Sequence, residues 1–273
     1  MRLIQHKKEA YWFYRFLSLG YDRWVNPLFW TEGMRAEALA QARLDDPGLS
    51  VLDAGAGTGF TTEGIVARVP AAQVTMLDQS PHQLARARGK PALAACPKVL
   101  GDAEALPFPD DAFDRYVSAG SVEYWPDPQR GIAEAYRVLK PQGTALLIGP
   151  VRPAGRLVRA LAEAWMLFPT PDDYAGWFEA AGFAAISTRE LAPDWYRDGR
   201  APYALAVSGV KPAPGRSPLE LPPPREDLHA QLHPVDRLRV AGRFTAGSLA
   251  GAAFLPIGAA LALRARLTRR AHE

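Results

Sequence analysis

Between residues 50 and 150, short apolar runs alternate with longer stretches in which apolar and polar positions are mixed. Apolar runs of this length are typical of buried strands, and the mixed stretches favour helices. The pattern predicts strands at 51–53, 73–78, 98–101, 114–119 and 144–148, with helices at 61–68, 81–88 and 128–139. Such an alternation favours a doubly wound, mostly parallel α/β sheet. A sheet of this kind binds its ligands at the carboxyl ends of its strands.

The pattern differs on both sides of this region. Residues 1–45 are predicted to form a helical and strongly aromatic N-terminal segment, packed on the domain or acting as a lid. Beyond residue 150 we predict two helices, at 155–166 and 172–181, and two further strands, at 185–191 and 203–210. Prolines interrupt regular structure from residue 212 onward. These changes divide the chain into four parts: 1–45, a core domain at 46–211, a linker at 212–240 and a C-terminal segment at 241–273.

The C-terminal segment is apolar over a length that suits a membrane. Phe244 to Leu263 contains no charged residue, and arginines stand on both sides of it. Twenty residues form a helix about 30 Å long, which matches the hydrocarbon core of a bilayer. We therefore predict a membrane-anchor helix that contacts lipid, with the core domain on the cytoplasmic or stromal-equivalent side. Whether this helix spans the membrane or lies in its surface is left open.

A glycine-rich turn follows the first predicted strand. An acid, Asp53, ends the strand, and glycines occupy the alternate positions Gly55, Gly57 and Gly59. Glycine tolerates positive φ and lets a ligand approach the backbone closely. The spacing differs from the dinucleotide fingerprint, whose third glycine would fall on Phe60. An acid followed by G-x-G-x-G is instead the pattern of S-adenosylmethionine (SAM) binding.

Two more acids close the second and third predicted strands. Asp78 is placed to accept both ribose hydroxyls of SAM, and Asp102 to accept from its adenine amino group, while Asp53 would take the ammonium group. Gln79, Ala103 and Ser118 stand next to strand ends and are assigned to the cofactor site with them. One acid at a strand end is weak evidence, but three at successive ends together with the glycine turn predict a SAM site.

The end of the fourth predicted strand should face the methyl acceptor. Glu123, Tyr124 and Asp127 follow it and are candidates to orient or deprotonate an acceptor, although a solvated turn is the alternative for Asp127. His82 is a further candidate base, with a place beside the cofactor as the alternative.

Composition changes this interpretation little. The 273 residues are 48% hydrophobic and 22% charged, which is typical of a globular protein, and the net charge of +3 makes no case for nucleic-acid binding. The single cysteine, Cys96, excludes an intramolecular disulfide framework. No group of residues has metal-ligand spacing, so no metal is expected. Met1 to Ala10 does not resemble a signal peptide. The sequence does not indicate an oligomeric state.

Several long segments resemble one family of enzymes. They read KEAYWFYRFLS, LDQSPHQLA, GDAEALPFPDDAFDRYVSAGSVEYWPDPQRGIAEAYRVLKPQG, LIGPV and WMLFP. These segments are similar to the plant and cyanobacterial 2-methyl-6-phytyl-1,4-benzoquinol methyltransferases, also called 2-methyl-6-solanesyl-1,4-benzoquinol methyltransferases. The resemblance implies a class I SAM-dependent C-methyltransferase. Its substrate would be a prenylated hydroquinone of the tocopherol and plastoquinone pathways. The resemblance also implies that the residues that bind the cofactor in this family correspond to Asp53, Gly55, Gly57, Asp78 and Asp102.

Under this interpretation the hydroquinone head enters between the aromatic N-terminal segment and the strand ends. Tyr14, Tyr21, Trp30 and Trp195 are the expected wall residues, and Glu123 is the expected base. Two alternatives stay open. One is methylation of another membrane quinol or lipid phenol, such as a menaquinone precursor. The other is a SAM-binding membrane protein without catalytic activity.

Overall fold

The computed structural model describes residues 30–196 and 201–221, together with single positions at 242, 245, 249 and 260. Five helices and five strands form its first part: α1 (Glu32–Leu39), β1 (Val51–Ala54), α2 (Phe60–Val66), β2 (Val74–Asp78), α3 (Pro81–Arg88), β3 (Lys98–Leu100), β4 (Phe113–Ala119), α4 (Pro128–Val138), β5 (Leu139–Pro150) and α5 (Arg156–Trp165). The elements α6 (Pro171–Ala181), β6 (Ala184–Leu191) and β7 (Ala204–Val210) follow.

The seven strands form one sheet in the order β3-β2-β1-β4-β5-β7-β6. Strands β1 to β5 are parallel, and β7 runs antiparallel to both β5 and β6. The strand order reverses between β1 and β4, so the topological switch point lies outside their carboxyl ends. Open α/β sheets bind ligands in the crevice at that point. The predicted doubly wound sheet is confirmed.

Alternate residues of the central strands lie in two separate hydrophobic cores, one on each face of the sheet, because successive side chains of a strand point to opposite faces. On one face, Leu52 and Leu147 pack with residues of α4 and α6. On the other face, Val51 and Leu146 pack with α1, α2 and α3. Both faces of the sheet are therefore covered, and its carboxyl edge is left for a ligand.

The main difference from the sequence prediction is the length of β5. It begins at Leu139 rather than at residue 144, because Leu139 already pairs with Phe113 of β4. The turn-like residues between these positions are held by Lys211, the last residue of the predicted core domain. Gln142 N donates to Lys211 O at 2.8 Å, and Lys211 N donates to Gly143 O at 2.9 Å.

Lys211 and the first residues of the predicted linker pack on the domain at the amino edge of the sheet. The Lys211 side chain is fully buried, and its Nζ donates to Asp111 Oδ1 at 2.6 Å and to Leu139 O at 2.7 Å. Ser217 Oγ donates to Ala181 O at 2.9 Å. The chain thus leaves the domain at the edge opposite the carboxyl ends of the parallel strands.

The chain enters the described domain near its carboxyl edge. Arg35 of α1 donates from Nη1 to Phe60 O at 2.8 Å, and its guanidinium lies 4.5 Å from the centre of the Phe60 ring. Phe60 opens α2 directly after the glycine-rich turn, so the start of α1 lies beside that turn. Residues 1–29 of the predicted N-terminal segment (1–45) and the predicted anchor (244–263) lie outside the described residues, apart from three single positions of the anchor. Within the part of the chain that is described, no helix has the length and apolar content needed to cross a membrane.

Candidate active site

The three acids predicted at strand ends meet at the carboxyl edge of the sheet. Asp53 lies in β1, Asp78 is the last residue of β2, and Asp102 follows β3. Because β3, β2 and β1 are adjacent parallel strands, their carboxyl ends share one edge. The glycine-rich turn lies in the same place, since Gly55 N and Ala56 N both donate to Leu77 O, at 2.8 and 3.0 Å.

Asp53 is a buried carboxyl group with one unsatisfied oxygen. Its Oδ2 accepts a hydrogen bond from Thr62 Oγ1 at 2.6 Å, whereas its Oδ1 has no hydrogen-bond partner. Burial raises the pKa of Asp53 to about 7, the Thr62 hydroxyl lowers it in part, and the nearby Asp78 raises it further. A buried polar atom without a partner is costly in a folded protein. This arrangement therefore favours a ligand that brings a donor or a positive charge to Oδ1.

Asp78 fixes the glycine-rich turn against the end of β2. Its Oδ2 accepts from Gly57 N at 2.8 Å, and its Oδ1 accepts from Ser80 N at 2.7 Å. Burial raises the pKa of Asp78 to about 6, and these two backbone hydrogen bonds oppose that shift. Ser80 caps α3 as its sequence position before Pro81 suggests, with Oγ accepting from Gln83 N at 3.4 Å. The capping role belongs to Ser80, which leaves the Asp78 carboxylate facing the turn.

The glycines of the turn are required for different reasons. Gly55 has φ +74°, and a Cβ there would lie 2.2 Å from Ser121 Oγ, so protein atoms exclude a side chain. Gly57 has φ +56°, but a Cβ there would meet nothing within 4 Å. The space in front of Gly57 is therefore open, as a site for a ligand lying against the backbone requires. Gly59 directly precedes α2.

The other predicted cofactor residues lie around this turn. Asp102 Oδ1 accepts from Glu104 N at 2.9 Å, and Ala105 N donates to Asp102 O at 3.1 Å in a tight turn. Ala103 is buried in the core, and Gln79 is half-buried. Ser118 is fully buried near the end of β4, and its Oγ has no hydrogen-bond partner.

Glu123 lies in a single 3₁₀ turn, Val122–Tyr124, beyond the carboxyl end of β4. Its side chain is buried and its Oε2 has no hydrogen-bond partner. Burial raises the pKa of Glu123 to about 8, although a hydrogen bond from its own backbone N–H opposes the shift. The backbone is anchored, because Leu167 N donates to Glu123 O at 3.0 Å. A fixed carboxyl group with a pKa near neutrality is suited to proton transfer.

The remaining candidate bases have different surroundings. Tyr124 is buried next to Glu123, and His82 is exposed in the first turn of α3. The Asp127 carboxylate caps α4, with Oδ1 accepting from Arg130 N at 3.2 Å and Oδ2 lying 3.5 Å from Arg130 Nε. The Asp-Pro dipeptide at this position is a helix-start signal that the sequence already contained. Of the candidates after β4, Glu123 is therefore the one with a buried carboxyl oxygen that lacks a partner.

Two of the four predicted wall residues lie within the described part of the chain. Trp30 is half-buried against the core that includes α1 and α2. The ring of Trp195 lies 5.5 Å from that of Tyr203, edge to face, and the Tyr196 ring lies 5.2 Å from that of Tyr203. This aromatic group stands at the carboxyl edge, because Tyr203 O accepts from Val151 N, just after β5, at 3.1 Å. Tyr14 and Tyr21 lie outside the described residues.

Sequence reasoning missed Ser121 and Glu104. Ser121 Oγ accepts from Trp125 Nε1 at 2.8 Å and packs against Gly55, so it joins the cofactor turn to the segment after β4. Glu104 is 4% exposed, and its Oε1 accepts from Asp127 N at 2.6 Å. The contact of Ser121 with Gly55 and that of Glu104 with Asp127 each join residues that are distant in sequence. The one available signal was an acid, Glu104, beside Asp102 in an otherwise apolar stretch.

The residues present at the carboxyl edge fit SAM. The unpartnered Asp53 Oδ1 suits an ammonium group, the open space at Gly57 admits a ligand against the backbone, and Asp78 and Asp102 present carboxylates along the same edge. Burial and three acids together favour a ligand that carries positive charge and several hydroxyl or amino donors.

Comparisons with known proteins agree with this fit. A family model described as a methyltransferase domain matches residues 52–147. Among solved structures, a SAM-dependent methyltransferase of Thermotoga maritima aligns with TM-score 0.59 at 18% identity, over 74% of this chain and 99% of that one. A geranyl diphosphate C-methyltransferase of Streptomyces coelicolor aligns with TM-score 0.55 at 17% identity, over 66% of this chain and 78% of that one. The fold and the site define a class I SAM-dependent methyltransferase, and SAM is its cofactor.

Sequence comparison gives the family within this class. The chain is 55% identical over 259 residues to the chloroplastic 2-methyl-6-phytyl-1,4-hydroquinone methyltransferase of Arabidopsis thaliana, covering 94% of this chain and 76% of that protein. It is 54% identical over 252 residues to the protein of the same name from Spinacia oleracea, covering 91% and 72%. A demethylmenaquinone methyltransferase of Chlorobaculum parvum is 36% identical over 175 residues, covering 62% and 66%. The chain belongs to the family of 2-methyl-6-phytyl-1,4-hydroquinone methyltransferases.

Proposed function

We propose that this protein methylates a ring carbon of a prenylated hydroquinone, of the 2-methyl-6-phytyl or 2-methyl-6-solanesyl type. The observation that carries the proposal is the identity of 53–56% to four plant proteins of that name. The similarity to the demethylmenaquinone enzyme is lower and covers less of the chain, so a menaquinone precursor is the second candidate. A buried acid beyond β4 and an aromatic group beside β5 are both suited to a phenolic ring.

SAM, when bound, supplies an electrophilic methyl group, so the protein needs no metal or nucleophile for this step. The chain's own residues have three tasks: to hold the cofactor, to exclude water and to move protons. Asp53, Asp78 and Asp102 would hold it through its ammonium, ribose and adenine groups. The Gly57 backbone lies against it. Gln79, Ala103 and Ser118 complete this side of the pocket.

Glu123 acts on the acceptor. Its Oε2 accepts the proton of a hydroquinone hydroxyl, which raises electron density at the ortho ring carbon. SAM would supply its methyl group to that carbon and leave as S-adenosylhomocysteine. The ring carbon would then give up its proton to water, the protonated Glu123 would return its proton to the ring oxygen, and aromaticity would be restored. A carboxyl group of pKa about 8 is far better matched to a phenol than an ordinary glutamate is. Tyr124 packs beside it as a supporting residue, and the exposed His82 stays on the cofactor side.

The hydroquinone head enters from the carboxyl edge, between the aromatic group at Trp195 and the N-terminal segment that leads into Trp30. On the sequence alone, Tyr14 and Tyr21 are assigned to the same entrance. Aromatic walls suit a planar ring and an apolar prenyl chain, because they bury large apolar area at little cost in side-chain entropy.

The direct test offers full-length protein in detergent three acceptors with labelled SAM: 2-methyl-6-phytyl-hydroquinone, its solanesyl counterpart and a demethylmenaquinol. We expect methyl transfer to the first two, identified by product mass. Transfer to the demethylmenaquinol alone would reject the proposed acceptor and support the second candidate. SAM binding without transfer to any of the three would also reject it.

Membrane association is part of the proposed function, because the acceptor carries a long apolar chain. The uncharged segment 244–263 would bind lipid, either across the bilayer or in its surface. We expect full-length protein to float with phospholipid vesicles, and the double variant Leu255→Asp/Ile257→Asp to lose most of that binding. Charged residues are costly in a bilayer, at about 2–3 kcal/mol each.

Leu100→Asp is the control for this experiment. Leu100 is an apolar side chain of β3 that is 59% exposed, so its substitution adds a charge outside the segment. It should leave flotation unchanged. Equal flotation of the double variant and the wild type would locate membrane binding elsewhere.

A further inference from the structure

Glu104 is a buried acid that does not belong to the predicted cofactor or acceptor residues. Its Oε1 accepts from Asp127 N at 2.6 Å, although the two residues are 23 positions apart. Only a few charged side chains are as buried in the described chain, and burying a charged group is costly unless it is hydrogen-bonded or paired. The contact joins the loop after β3 to the segment after β4.

On the cofactor side, Glu104 is bound to the acid proposed to recognise adenine. Glu104 N donates to Asp102 Oδ1 at 2.9 Å, and Asp102 forms an isolated bridge with Ala105. Residues 102–105 therefore form one tight turn. A change in the position of the Asp102 carboxylate must move the Glu104 backbone with it.

On the acceptor side, Glu104 holds the end of a short, internally bonded segment. Tyr124 N donates to Ser121 O at 3.0 Å, and Trp125 N donates to Val122 O at 3.1 Å. Asp127 follows two residues later and starts α4. Residues 120–127, here called the acceptor segment, thus carry Glu123 between the β4 end and a hydrogen bond to Glu104.

We propose that Glu104 is a positioning residue that couples cofactor binding to the placement of Glu123. Binding of adenine at Asp102 restricts the motion of the turn at 102–105. Because Glu104 in this turn accepts a hydrogen bond from the Asp127 amide, the motion of the acceptor segment is restricted as well. The bound cofactor thereby restricts the motion of Glu123 further than the backbone hydrogen bond from Leu167 does alone. This coupling rests on the proposed function for the identity of the acceptor, but not for the contacts themselves.

The test measures hydrogen exchange of the acceptor segment by mass spectrometry in the full-length protein, with and without S-adenosylhomocysteine. Glu104→Met removes the acceptor atom at similar volume, Glu104→Ala does so with a smaller side chain, and Glu104→Gln keeps an oxygen that can accept. In the wild type and in Glu104→Gln we expect the ligand to slow exchange by about fivefold or more, the lower end of common coupling strengths. In Glu104→Met and Glu104→Ala the ligand should bind without slowing it.

Glu134→Met is the matched control, because it too removes a carboxylate that accepts from a backbone amide of the loop after β3. Glu134 Oε2 accepts from Leu106 N at 2.7 Å, so it fixes the same loop without touching the acceptor segment. Its response to the ligand should equal that of the wild type. A purely structural Glu104 would speed exchange in Glu104→Met but leave the ligand response intact, and that result would overturn the proposal.

The wild type alone can also overturn it, if S-adenosylhomocysteine binds without slowing exchange at 120–127. No acceptor is present in these experiments, so failure of the proposed function would be seen separately, as absence of methyl transfer by the wild type.

Discussion

Replacing Glu123 by Gln is expected to lower the rate of methyl transfer by about 10²- to 10⁴-fold, the usual contribution of a positioned general base. Gln has nearly the same shape but cannot accept a proton at neutral pH. The dissociation constant of SAM should change little, because the cofactor residues lie at the ends of β1, β2 and β3. Initial rates with the hydroquinone, together with calorimetric titration of SAM, separate the two effects.

The pH dependence of the wild-type rate provides a second readout of the same change. The base must be ionised, and the pKa of Glu123 is raised to about 8. The rate should therefore rise with pH up to about 8 and then level off. The residual activity of Glu123→Gln should not show this rise in rate with pH. Glu179→Gln, which changes an exposed acid on α6, is the control for loss of a carboxylate as such.

Equal losses of rate and SAM affinity in Glu123→Gln would reject its role as a base. The buried carboxyl would then be a structural part of the segment after β4, whose backbone is held by the hydrogen bond from Leu167 N to Glu123 O. A wild-type rate independent of pH between 6 and 9 would also contradict the assignment.

The fold was largely predictable because its signals are local. Strands β2, β3 and β4 and helix α3 lie within one or two residues of their predicted positions, since each apolar run is bounded by Gly, Pro or a capping residue. The convergence of Asp53, Asp78 and Asp102 followed from the sheet topology, because adjacent parallel strands end at one edge. Neither conclusion required knowledge of side-chain packing.

The rest of the site depends on contacts between distant residues. No sequence pattern places Glu104 at the Asp127 amide or Ser121 against Gly55, because tertiary packing alone decides these pairs. The sequence also did not show on which edges of the sheet the described domain begins and ends. Helix α1 starts near the carboxyl edge, whereas Lys211 lies at the amino edge.

Replacing Asp53 by Asn is expected to have opposite effects on ligand affinity and on stability. The Thr62 hydroxyl can still donate to the amide oxygen, so the local structure is kept. Loss of the negative charge removes the partner of the SAM ammonium group. The dissociation constant of SAM should rise by about thirtyfold or more, equivalent to about 2 kcal/mol, the lower end for losing one member of a buried charge pair.

The apo protein should become more stable by the same substitution above pH 7. The pKa of Asp53 is raised to about 7 in the folded protein, so the folded state binds this proton more tightly than the unfolded state does. The stability linked to this group is present below the unfolded pKa of about 4 and is lost as pH rises through about 7. Asn avoids that loss, which thermal unfolding at pH 6 and pH 8 will measure.

Asp114→Asn is the control for Asp53→Asn, because it changes an acid whose pKa is shifted in the opposite direction. Asp114 lies at the amino edge, and although partial burial opposes it, hydrogen bonds from Ser50 and Lys140 lower its pKa. Its substitution should reduce stability at pH 8 and leave SAM affinity unchanged.

Proton release on SAM binding is a further test of the pairing between Asp53 and the ammonium group. At pH 7 a carboxyl group of pKa about 7 is about half protonated, and pairing with an ammonium group favours its ionised form. SAM binding to the wild type should therefore release up to about half a proton from this group, measured by calorimetry in buffers of different ionisation enthalpy. The Asn variant should release less. Unchanged proton release together with unchanged affinity would place the ammonium group away from Asp53, because a buried carboxyl cannot pair with a cation and keep its proton.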